Sequence, residues 1–86
     1  MVHIVFLQGR DSVIRVAEDT LTEESNDYLH VESGVWLVST SLGPSEYRDL
    51  LSDRGLRVVV MRLRGAWASS GDARIAGWLK GVRYEF

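Results

Sequence analysis

The sequence predicts an α+β domain in which helices pack on a single antiparallel sheet. Three observations predict it. Runs rich in Val, Leu, Ile and aromatic residues at 2–7, 28–32, 35–40 and 56–63 have the length and composition of strands. Amphipathic stretches alternate with them and follow the last. Ser33-Gly34 alone separates the middle two runs, as in a tight hairpin.

Each element has its own signal. Val2 to Leu7 is apolar at nearly every position and ends at Gly9, which reads as a central strand covered on both faces. In residues 10–27, Ile14, Ala17 and Leu21 recur at helical spacing with Val13 beside them. Ser12 to Val16 also reads as a strand, but Arg15, Glu18, Asp19, Thr22 and Glu23 gather on the opposite side, which favours a helix. Glu24 to Asp27 reads as a loop. Tyr28–Glu32 and Val35–Thr40 form the hairpin, with Gly34 supplying the positive φ of its turn. Gly43-Pro44 opens a second helix with Pro at its first position. Tyr47, Leu50 and Leu51 are its apolar stripe, and Gly55 suits the left-handed position just past its end.

Leu56–Leu63 follows as a strand with Val58 to Met61 buried on both faces. A last helix starts near Ser70 and Asp72, presents Ile75, Trp78, Leu79 and Val82 at i, i+3, i+4 and i+7, and ends at Gly81. Alternation of Val82, Tyr84 and Phe86 with Arg83 and Glu85 predicts a fifth short strand. The order β-α-β-β-α-β, then a C-terminal helix, is the split βαβ or ferredoxin-like arrangement. Right-handed crossovers place the first two helices on one face. The other face offers Val35 and Leu37, or Trp36 and Val38, depending on parity. The last helix covers part of it, and a second subunit is the natural cover for the rest.

At 86 residues the chain is one small domain, and its 45% hydrophobic content is that of a globular protein. The absence of cysteine excludes disulfides and thiolate metal sites and suits a reducing cytoplasm. No apolar run approaches the ~18–20 residues of a membrane span, and the first residues lack a signal-peptide layout. With nine Arg to one Lys, and many Val and Gly, the composition reads as high-GC coding from a bacterium or its phage.

Charge is divided along the chain. Residues 1–53 hold ten of the twelve carboxylates and three of the ten basic residues, a balance of −7; residues 54–86 carry +5. Such asymmetry speaks about partners more than about fold. A small chain without staples also gains buried area by oligomerising, so a homodimer is expected.

No nucleophile motif, zinc-binding His-Glu-x-x-His or phosphate-cradling glycine loop is present, so no catalytic residue, metal ligand or cofactor is assigned. His3 sits in a buried-looking strand and reads as a core histidine. Tyr28, His30 and Glu32 alternate along one strand, a row suited to a metal or a proton but more often a partly wet sheet surface. Arg57, Arg62, Arg64 and Arg74 are the candidate contacts to nucleic acid or another anion, with Trp67, Trp78 and Tyr84 near enough in sequence to stack on bases. A net charge of −2 argues against a strong polyanion binder. Glu18, Asp19, Glu23 and Glu24 form a candidate acidic face for a protein partner. Trp36, Val38, Tyr84 and Phe86 are the candidate dimer contacts.

Between residues 32 and 80 stand Glu32-Ser33-Gly34-Val35-Trp36-Leu37-Val38, Ser45 to Leu51, Arg57 to Leu63, and Ala66-Trp67 with Gly77-Trp78-Leu79-Lys80. Through these motifs the chain resembles a family of small bacterial and phage proteins labelled SinR-family, related in fold to CRISPR-associated ferredoxin-like proteins. The resemblance implies a ferredoxin-like dimer that binds nucleic acid or cleaves it with a divalent metal. The N-terminal third departs from that pattern. Where the superfamily ends its first strand with Tyr-Asp, this chain has Phe6-Leu7-Gln8-Gly9, and neither Leu nor Gln offers the anionic oxygen that Mg²⁺ prefers. Asp11 and Glu32 are the remaining carboxylates for a nuclease reading. The expectation is therefore a non-enzymatic homodimer that recognises another macromolecule, such as a phage protein interfering with a host protein. The alternative is a nuclease or nucleic-acid adaptor.

Overall fold

The computed structural model describes residues 1–52, 55–64, 70 and 73–82. The elements run β1 (Val2–Gln8), α1 (Asp11–Glu24), β2 (Asp27–Glu32), β3 (Val35–Ser39), α2 (Pro44–Leu51), β4 (Arg57–Arg62) and α3 (Ala73–Gly81). All strand pairs are antiparallel, in the order β2-β3-β1-β4. Each βαβ crossover therefore skips one strand, and the fold is the α+β, split βαβ arrangement.

Strand position follows composition. β1 and β3, the most apolar runs, take the two inner places and hold most of the buried sheet residues. β2 and β4, each bracketed by charges (Asp27 and Glu32; Arg57 and Arg62), take the edges. Residues 11–24 are a helix, as the polar grouping favoured. Ala17 and Leu21 are buried, and Ile14 packs on the core cluster. Pro44 occupies the start of α2, with an extended Gly43 as its cap. Gly55 has φ +85°, but α2 ends at Leu51 with Ser52 as its cap, so the glycine turns the loop beyond the helix rather than terminating it. α3 ends at Gly81, as predicted.

One core lies between the sheet and the α1/α2 layer. Val5, Leu7, Trp36 and Val38 rise from the inner strands to meet Ala17, Leu21, Tyr47 and Leu51, and Val58 and Val60 close the β4 side. His3 is in this layer, fully buried. Its Nε2–H donates to the Leu42 carbonyl at 2.8 Å, and its ring stands edge-on to Tyr47. It is a core histidine.

Two expectations are corrected here. β4 is not covered on both faces: Val58 and Val60 are half-buried under the helices, whereas Val59 and Met61 are 50% and 49% exposed. The reason is position, since α3 lies toward β2 at the opposite edge of the sheet. Trp36 and Val38 do not face a partner; they are 6% and 0% exposed within the chain's own core. Parity placed them under α1, leaving Val35 and Leu37 on the other side. The expected fifth strand, together with Trp67, Asp72, Arg83, Tyr84 and Phe86, lies outside the described residues.

Candidate recognition surface

Strand register defines the face turned away from α1 and α2. Leu29, Leu37, Ile4 and Met61 are successive cross-strand partners and form one apolar row; Val35, Phe6 and Val59 form the next. α3 lies over the β2 end of these rows. Ile75 and Leu79 close a groove of about 210 Å³ with Ile4, Val31, Val35, Leu37 and Leu63. From the same helix, Arg74 donates to the carbonyls of Val31 at 3.0 Å and His30 at 3.4 Å. That contact reaches the outer edge of β2 at its C-terminal end. Among the described residues nothing does the same for β4, where Val59 and Met61 stand open beside half-buried Ile4 and Phe6. Exposed neighbouring large apolar side chains on a flat sheet are unusual for a monomer surface and mark a place of contact.

The predicted arginines are scattered. Arg57 shares the open face with Val59 and Met61. Arg62, five positions on, turns to the helix side opposite His3. Arg64 is exposed just past the strand, and Arg74 is spent on β2 at the far edge, three strand spacings or about 14 Å away. They are not brought together into one track.

Of the predicted acidic face, Asp19, Glu23 and Glu24 are exposed on α1, while Glu18 turns inward. Its Oε2 accepts the Trp36 indole N–H at 2.8 Å and lies 3.6 Å from His30 Nε2. Glu23 and Glu24 crowd the last turn of α1, which holds no basic residue. Carboxylates at a helix C-terminus oppose its dipole, so helix stability does not account for them.

Tyr28 and His30 do share a face, but Glu32 is not with them. A bulge between His30 and Glu32 shifts the register, and Glu18 from the helix takes the acid's place. The result is an aromatic ledge: His30 stacks on Trp36 at 4.2 Å with planes 10° apart, and Tyr28 meets the same indole edge-on at 5.7 Å. Sequence reading missed this group because its acid comes from another element. Among the described residues no group of three or more His, Asp or Glu is placed to hold a metal ion. Asp11 lies in the first turn of α1, and Leu7, at the end of β1, is in the core. No helix among the described residues is long and apolar enough to cross a membrane.

Fold and surface together define a split βαβ domain whose sheet, among the described residues, is covered by α3 toward β2 and open at β4. Compared with protein-family models, curated proteins and solved structures, the chain matches none.

Proposed function

We propose that the protein is a non-enzymatic, homodimeric binding protein that works by macromolecular recognition. The observation that carries this reading is the half-exposure of Val59 and Met61 on a sheet face that α3 covers only toward β2. One copy closes the other's open face, and the dimer then presents its acidic α1 surfaces, with Asp19, Glu23 and Glu24, to a basic protein partner. A phage protein that blocks a host protein would act in this way, by occupying a surface. The acids at the end of α1, set against their own helix dipole, support a role outside the fold. The scattering of Arg57, Arg62 and Arg74 favours a protein partner over a nucleic-acid backbone, which needs its cations along one track.

Magnitudes bound the dimer. Removing a half-exposed Val or Met from water contributes about 1 kcal/mol, so Val59 and Met61 of two copies supply about 4 kcal/mol. Association costs about 4–15 kcal/mol, so these side chains alone give weak pairing, and further contacts must contribute. Sedimentation equilibrium tests the reading. At about 100 µM a substantial dimer fraction is expected that dissociates on dilution. A monomer throughout that range contradicts it.

A further inference from the structure

We infer that the two copies join edge to edge through β4, which pairs antiparallel with β4 of the second copy about a two-fold axis at Val60. This rests on the homodimer reading above and specifies its geometry. The hydrogen-bond pattern fixes which groups are available. The Leu63 N–H donates to the Val2 carbonyl at 2.9 Å. The β1–β4 register continues from that pair through Ile4↔Met61 and Phe6↔Val59. In an antiparallel ladder bonded pairs alternate with unbonded ones, so Arg57, Val59 and Met61 bond inward to β1. Val58, Val60 and Arg62 turn their N–H and C=O groups outward. The other side of β1 agrees with this phase: Leu7 N–H bonds to Gly34 O and takes its place in the β1–β3 ladder.

A two-fold register centred on Val60 uses every outward group of β4. Val60 pairs with its own copy, and Val58 pairs with Arg62 of the second copy, twice, giving six backbone hydrogen bonds. Between these bonded pairs Val59 comes directly opposite Met61 of the second copy, on the same face. The two half-exposed side chains of each subunit thus become two close cross-strand pairs, and the two open faces join in one eight-stranded sheet. Shifting the register by one residue in either direction would match bonding groups to non-bonding ones, and in one direction it would also set Arg57 against Arg62. In the Val60 register each Arg62 instead reaches Val58 of the other copy, close in the chain to the C-terminal end of α2.

A second copy is the occupant because the strand complements itself and because the opposite edge is partly occupied at its C-terminal end. Arg74 occupies the His30 and Val31 carbonyls at the end of β2, which hinders a head-to-tail array through β2 and β4. An edge pair buries well under the ~1,200–2,000 Å² of a stable interface, so the complex exchanges readily.

The chain lacks cysteine, which makes a direct test simple. A variant carrying Val59→Cys and Met61→Cys places thiols opposite each other at about 4.5 Å between Cα atoms, within disulfide reach. Mild oxidation is expected to convert it to a covalent dimer, while Val16→Cys, exposed on α1, stays at background. Met61→Lys, at a half-exposed site that leaves the monomer folded by circular dichroism, is expected to weaken association about tenfold or more. A dimer that neither cross-links through the paired cysteines nor responds to Met61→Lys would overturn the β4 geometry and leave the homodimer standing. A chain that stays monomeric would overturn both.

Discussion

Replacing Tyr47 with Ala is expected to leave the domain largely unfolded at 37 °C. Tyr47 is fully buried where α2, α1 and the sheet converge. Its ring meets His3 edge-on, and its hydroxyl shares a 2.7 Å hydrogen bond with Ser25 Oγ at the end of α1. Truncating a buried aromatic to Ala costs about 3–5 kcal/mol, against a total stability of about 5–15 kcal/mol for a domain of this kind. Loss of the phenol would also strand the Ser25 hydroxyl, so the upper end of that range applies. Tyr47→Phe keeps the ring and costs about 1 kcal/mol, the net value of one hydrogen bond. Urea titrations of the two variants separate packing from hydrogen bonding. The same phenol makes the fold sensitive to alkali. Burial raises its pKa above the ordinary 10.0, and Glu24 adds to the rise, while the Ser25 hydrogen bond opposes it. The unfolded chain therefore loses this proton first. Its stabilising contribution is complete below pH 10 and falls away as the pH climbs through the raised value. Tyr47→Phe is expected to flatten that alkaline limb.

Gly34→Ala is expected to cost about 3 kcal/mol and lower the melting temperature by about 15 °C. Two effects combine. The φ of +76° is strained for any residue with a Cβ, which accounts for about 1–2 kcal/mol. A Cβ there would also stand 2.5 Å from the Leu7 carbonyl oxygen, a backbone atom that cannot move aside. The hairpin turn must then lift off β1 and stretch the 2.7 Å hydrogen bond from Leu7 N–H to Gly34 O. Gly55 provides the comparison. Its φ of +85° carries the same conformational strain, but a Cβ would meet nothing within 4 Å, so Gly55→Ala is expected to cost only about 1–2 kcal/mol. Equal melting temperatures for the two variants would show that contact with β1 adds nothing.

Much of the fold was legible because local signals and burial agreed. The largely apolar Val2–Leu7 run became an inner strand, Pro44 opened a helix, the spacing of Ile75, Trp78 and Leu79 marked α3, and Gly81 marked its end. The facing of β2 against β3 was not legible, and the bulge explains why. Counting outward from a regular two-residue turn at Ser33-Gly34 pairs Glu32 with Val35 and His30 with Leu37. The extra residue in β2 moves His30 onto Trp36 instead, so the aromatic side of the hairpin faces α1. A one-residue shift exchanges the two faces of a strand, and no sequence feature marked it. That shift set His30 beside Trp36 and replaced Glu32 with Glu18 there, while Trp36 and Val38 share the core side with Val5 and His3, their partners on β1. The exposure of β4 was hidden for a different reason. Val58-Val59-Val60-Met61 has the composition of a strand covered on both sides, and its edge position emerges only from the sheet order. The dispersal of the arginines over two faces and two edges has the same origin.

A strand with the composition of a sheet interior at the margin of the sheet is the feature that most needs a partner. Amide hydrogen exchange, resolved by residue and followed across protein concentration, reads this most directly. The N–H groups of Val58, Val60 and Arg62 are expected to exchange freely in dilute protein and to become protected as concentration rises. Those of Val59 and Met61, bonded to β1, should keep one level of protection throughout. Rates at Val58, Val60 and Arg62 that do not change with concentration would contradict the pairing of β4 with a second copy.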